Sequence, residues 1–187
     1  MAVWDDNLVS CQTYLAKLYI DKYPGDMFGW IALADARSKS NAFADALAAL
    51  RRARTLCPVE MRSFVYSQMG HVYREKGDNN RAAKWYRKAI NEKQSQENLV
   101  FLGACLFKLE KLNEARDFLL KAVELRPDSA DEAFFNLGLT YRKEGQYVEA
   151  LRYFEKAIRI DPDYVDAIAA RGDILKLFKI RAVSKRA

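Results

Sequence analysis

The chain has 187 residues, half of them apolar, and a formal charge of +6. No apolar run reaches the ~18 residues of a membrane-spanning helix, and the first residues lack a basic stretch followed by a hydrophobic core, which argues against a span and a standard secretory signal. Cys11, Cys57 and Cys105 are odd in number and His71 is the only histidine, which argues against a disulfide framework and a two-histidine metal site; buried, reduced thiols in a cytoplasmic protein are expected.

Taken in chain order, the first predicted helix spans residues 5–22. Trp4, Leu8, Cys11, Leu15, Leu18, Tyr19 and Lys22 trace one face at helical spacing, and Pro24-Gly25-Asp26 end it. It stands in for the second half of a preceding helix pair. Four two-helix units follow, at 27–60, 63–95, 96–130 and 131–164. Trp30, Leu33, Ala34, Ala46, Leu50, Ala53 and Pro58 mark the first. Tyr66, Met69, Gly70, Tyr73, Gly77, Ala82, Tyr86 and Ala89 mark the second, with Gln94 where a proline would fall. Leu99, Leu102, Gly103, Leu106, Ala115, Leu119, Ala122 and Pro127 mark the third.

The fourth is the clearest. Phe134, Leu137, Gly138 and Tyr141 form one stripe, Gly145 punctuates, and Tyr147, Ala150, Leu151, Phe154, Ala157 and Ile158 form another before Pro162. A capping box is expected at Ser129 and Glu132. Gly138 and Ala150 are small where the helix axes must approach, so a larger residue there should overpack at roughly 1–3 kcal/mol. A capping helix at 165–181 and a basic tail at 182–187 complete the chain. Arg171 takes an apolar position there, which suits a solvated cap, and Ile174, Leu177, Phe178 and Ile180 have no following helix to bury them.

Ala53, Ala89, Ala122 and Ala157 are spaced by 36, 33 and 35 residues, and Ala46, Ala82, Ala115 and Ala150 keep the same steps. Ala34, Gly70, Gly103 and Gly138 follow them, and Gly172 extends that column by 34. The longer steps imply short insertions near Val59–Met61 and Ala130. These columns, with Leu-Gly, Tyr, Ala, Phe, Ala and Pro at Leu137, Gly138, Tyr141, Ala150, Phe154, Ala157 and Pro162, resemble the tetratricopeptide repeat family. The resemblance implies an all-α, right-handed superhelical solenoid of antiparallel helix pairs, a single domain over residues 1–187.

It also implies a concave groove lined by the first helix of each unit. Phe28, Phe64, Phe107 and Phe135 are the candidate apolar anchors, with Ile31 and Leu139 beside them; His71, Arg74 and Arg142 are the candidate polar contacts. Some members of the family clamp a chaperone's C-terminal carboxylate with cationic side chains. Here the aligned places include Glu97, Glu132 and Asp166, which would repel it. No phosphate loop, nucleophile elbow or zinc-binding motif occurs, so no enzyme activity, metal or cofactor is expected.

Residues 171–187 carry +5 of the +6, so the charge marks a tail rather than a nucleic-acid-binding face. The sequence therefore points to a non-catalytic scaffold or adaptor that binds a partner's peptide or helix. Two alternatives stand beside it: a helical-repeat reader of single-stranded RNA, and a scaffold that self-associates through its C-terminal helix.

Overall fold

The computed structural model describes the backbone of residues 2–184 and the side chains of residues 8–179. The side chains of Trp4, Ile180 and the basic tail, all weighed above, lie outside the described ones. The described residues form α1 (Ala2–Lys22), α2 (Met27–Lys39), α3 (Phe43–Leu56), α4 (Arg62–Glu75), α5 (Asn79–Glu92), α6 (Gln96–Lys108), α7 (Leu112–Leu125), α8 (Asp131–Lys143), α9 (Tyr147–Ile160) and α10 (Val165–Ser184), with no strand among them. Short 3-10 turns at Val59–Met61 and Pro127–Ser129 absorb the two expected insertions. The chain divides into two compact units, Met1–Gln94 and Ser95–Ala187.

In the first unit α1 packs on α2, α2 pairs with α3 and α4 with α5. In the second, α6 pairs with α7, α8 with α9, and α10 packs on α9. Each pair reverses the chain through one left-handed residue: Asn41 at φ 58°, Gly77 at 83°, Glu110 at 61° and Gly145 at 76°. The same two bonds close all four turns. In the second pair Asp78 N–H donates to Tyr73 O at 2.9 Å and Gly77 N–H to Arg74 O at 2.9 Å, the pattern that satisfies the last carbonyls of a helix. Glycine suits that position and asparagine tolerates it, whereas Glu110 holds it against a cost of about 1–2 kcal/mol.

The small columns are packing columns. Both alanine columns are fully buried. A Cβ added to Gly70 would lie 2.6 Å from the Tyr86 ring, one on Gly103 2.6 Å from Leu119, and one on Gly138 2.5 Å from the Phe154 ring. The glycine on each first helix therefore seats a bulky residue of its own second helix. A second device recurs at the pair ends. Ser63 Oγ donates to Ala89 O at 2.9 Å, and Gln96 Nε2 donates to Ala122 O at 3.2 Å and to Arg126 O at 3.0 Å. Within the second unit, Arg116 on α7 pairs with Glu144 after α8 at 3.0 Å, both side chains largely shielded.

Several expectations need correction. Ala130, not Ser129, precedes α8, and no side chain caps that end because Ser129 is taken into the 3-10 turn. Asp26, Asp78 and Ser95 cap α2, α5 and α6 instead. The α1 stripe is exposed at Leu8, Cys11, Leu15, Leu18 and Tyr19; Ala16 and Ile20 are the buried residues of α1, and α1 meets Gly29 of α2 through Ile20 and one edge of the Tyr19 ring. Of the cysteines only Cys105 is buried; Cys11 lies on that outward stripe and Cys57 is half-buried beyond α3. Arg171 is half-buried rather than solvated, with its Nε shielded and without a hydrogen-bond partner. Ile174 is buried and Phe178 packs on the same cluster, because α9 presents Ala150, Phe154 and Tyr147 to them. Among the described residues, the large apolar side chains exposed on α10 are Val165, Ile168 and Leu175.

Candidate binding surfaces

The four candidate anchor phenylalanines divide into two kinds. Phe28 opens α2 and is 53% exposed; Phe64 opens α4 and is 39% exposed. Phe135 on α8 is half-buried instead, its ring 5.8 Å from Phe154 and 5.0 Å from Tyr164. Burial, then the carboxylates of Glu132 and Asp131, push the Tyr164 phenol up to about 12, in keeping with an enclosed ring pair. Leu139 packs on the same cluster, so this part of α8 serves the second unit's core. Phe107 is half-buried under the Lys143 ammonium, 5.3 Å from its ring centre, and that ammonium also donates to Glu110 at 2.8 Å. Ile31 is half-buried against Met27, Ala53 and Val65. Arg74 is exposed and Arg142 half-buried.

His71 sits on α4 at a polar depression of about 200 Å³ with Asp35, Ser38, Gln68 and Glu75 among its walls. Ser38 Oγ donates to Glu75 across it. The imidazole is hydrogen-bonded to Tyr86 Oη at 3.0 Å through Nδ1 and approaches Ser67 Oγ at 3.5 Å through Nε2. Burial first, then the Arg74 charge, hold its pKa below the ordinary 6.5. Unfolding restores the ordinary value, so the unfolded chain binds the proton more readily. The contribution of neutral His71 is full above about pH 6.5 and is lost as pH falls through the lower, folded-state value. The urea midpoint of the wild-type chain should drop more between about pH 7.5 and 5.5 than that of His71→Gln. Equal drops would contradict the assignment.

A larger surface escaped the sequence reading. A cleft of about 510 Å³ lies between α1 and α2, walled by Gln12, Leu15, Ala16 and Tyr19 on one side and Phe28 and Ala32 on the other. A signal beside it, on residues outside its walls, was present in register. Tyr14 and Leu18 fall 34 residues before Ala48 and Arg52, in outward columns that hold Lys84, Asp117 and Arg152, and Lys88, Lys121 and Lys156. Apolar residues there mark a face unlike the other outward faces. Among the described residues no helix is long and apolar enough to cross a membrane, and no three His, Cys, Asp or Glu side chains converge on a metal-sized site.

Family comparisons agree with this geometry. A family model described as tetratricopeptide repeat matches residues 94–163, and one for anaphase-promoting complex, cyclosome, subunit 3 matches residues 39–122. A subunit of the anaphase-promoting complex hetero-tetramer Cut9–Hcn1 superposes on 90% of the chain with a TM-score of 0.77, at 18% identity and over 34% of its own length. The chain is a tetratricopeptide repeat protein.

Another tetratricopeptide repeat protein, YrrB, described as having an unusual peptide-binding site, matches 84% of the chain and 97% of its own length at 25% identity, with a TM-score of 0.52. Among curated relatives, the human protein O-mannosyl-transferase TMTC3 is 36% identical over 87 residues, which is 46% of this chain and 9% of that protein. The chain spans less than a fifth of the length of the first curated relatives it matches. Tetratricopeptide repeat proteins are in general non-catalytic scaffolds for protein–protein interaction, and this chain has that repeat architecture.

Proposed function

We propose that the chain is a non-catalytic adaptor that holds a peptide or helix of a partner protein on its first-helix faces. The observation that carries the reading is the exposure of Phe28 and Phe64 at corresponding positions of α2 and α4. Large aromatic rings left in water on a rigid scaffold are poised to act as anchors, since docking removes apolar area while the scaffold loses little freedom. His71 and Arg74, also on α4, supply polar contacts beside Phe64. Phe107, Phe135, Leu139 and Arg142, all half-buried, are the corresponding candidates in the second unit. The peptide-binding site named for YrrB and the assembly subunits among the comparisons support a role in holding other proteins. Free thiols suit a reducing compartment such as the cytoplasm.

Partner recovery from cell lysate should be compared between the wild-type chain and Phe64→Glu, after confirming equal helical content. The substituted ring lies outside the α1–α2 cleft. A protein retained by the wild type and lost by the variant is expected, with a cost of about 2 kcal/mol or more in its measured affinity. Equal recovery by both chains would overturn the reading. So would recovery of RNA alone with steep salt dependence, the mark of phosphate contacts.

A further inference from the structure

We propose that this chain associates head to tail with copies of itself, α10 of one copy entering the α1–α2 cleft of the next. The inference shares Phe28, a wall of the cleft, with the proposed partner face but not Phe64, and it rests on the repeat register at each end of the fold.

The grip between first and second helices is repeated in this chain. In the fourth pair, Tyr153 on α9 meets Phe134 at 6.1 Å and stacks on Tyr141 at 5.1 Å, both on α8. The Lys156 ammonium lies 5.3 Å from the Phe134 ring centre. Gly138, between those two α8 residues, seats Phe154. The second pair has the same contacts in Trp85 against Tyr66 at 5.5 Å and Tyr86 against Gly70.

Advancing the α8 residues by 34 gives Ile168, Gly172 and Leu175 on α10. Ile168 is 39% exposed and Leu175 43%, and a Cβ on Gly172 would meet nothing within 4 Å. Helix α10 thus has the gripping face of a first helix, with no second helix on it among the described residues.

Helix α1 has the reciprocal face. Leu15, Ala16 and Leu18 fall 34 residues before Ala49, Leu50 and Arg52 of α3, in the columns of Tyr153, Phe154 and Lys156. Leu15 is 59% and Leu18 47% exposed, and Leu15 and Ala16 line the cleft beside α2. The cleft is where a first helix paired with α1 would lie. Transposing the fourth pair sets Leu15 against Ile168 and Leu175, Leu18 against Ile168, and Ala16 against Gly172. Two small residues at that crossing allow close approach of the backbones. An α10 from a second copy therefore completes a helix pair with α1, and the face it uses differs from the one it meets. Such a contact is heterologous, so it closes into a ring or runs on as an open chain according to the rotation it imposes.

Sedimentation over a range of concentrations tests this with wild type, Leu15→Glu and Leu175→Glu, both substitutions being at exposed side chains. Wild type should assemble as concentration rises, while each variant alone stays monomeric with unchanged helical signal. An equimolar mixture of the variants should recover a two-copy species and stop there, since one intact α10 and one intact cleft remain. A wild-type chain that is monomeric throughout would overturn the proposal. A dimer that survives in either variant alone, or a mixture that stays monomeric while wild type assembles, would overturn it too.

Discussion

Phe154→Ala is expected to destabilise the second unit by about 3–5 kcal/mol, the range for truncating a fully enclosed aromatic ring. Phe154 has no exposed surface and sits among Ala150, Ala170, Ile174 and the Phe135 ring. Its neighbours cannot collapse into the space without shifting α8, α9 and α10 together, because close packing on three sides holds each in place. Urea unfolding followed by circular dichroism reads the loss directly. A cost under about 1 kcal/mol would mean that the ring is not the keystone of the cluster.

Gly138→Ala should cost about 1–3 kcal/mol although alanine is the better helix former. The added methyl would stand 2.5 Å from Cε1 and 2.6 Å from Cδ1 of Phe154, closer than real contacts allow, so ring or helix must move. Helix propensity alone would favour the substitution by up to about 1 kcal/mol, and the clash must exceed that gain. Gly172→Ala is the internal control: the same exchange in the same column with nothing within 4 Å should be neutral or stabilising. Matching losses at the two positions would show that the column's packing role had been misassigned.

Much of this fold is legible in the sequence because its packing is nearly local. Gly70, Gly103 and Gly138 each meet a residue 16 positions later in their own pair, Tyr86, Leu119 and Phe154, so one period of sequence holds both halves of the contact. The insertions at Val59–Met61 and before Ala130 were legible for the same reason. The left-handed turns at Asn41 and Glu110 were not, since neither residue announces a positive φ as Gly77 and Gly145 do. Their place is recoverable only from the register of the neighbouring pairs.

The binding surfaces were harder to read because exposure depends on what another helix covers. Phe28 and Phe135 look alike in sequence, each on the expected open side of a first helix. Tyr164, 29 residues after Phe135, covers its ring at 5.0 Å, whereas Phe28 remains more than half exposed. The stripe on α1 showed a face suited to burial without showing its partner. Its alignment with α3 was the missing clue: Gln12, Ala16 and Tyr19 replace Ala46, Leu50 and Ala53, reversing the small–large–small pattern.

The scaffold reading stands on the claim that the small column exists to seat a bulky second-helix side chain, a ring in the fourth pair, which keeps the first helices rigid and their outer faces free. A double-mutant cycle of Gly138→Ala and Phe154→Ala measures that claim. With the ring gone, the methyl added at position 138 enters vacated space, so the double variant should lose less than the sum of the single losses, by about 1–3 kcal/mol. Losses that add to within about 0.5 kcal/mol would contradict it.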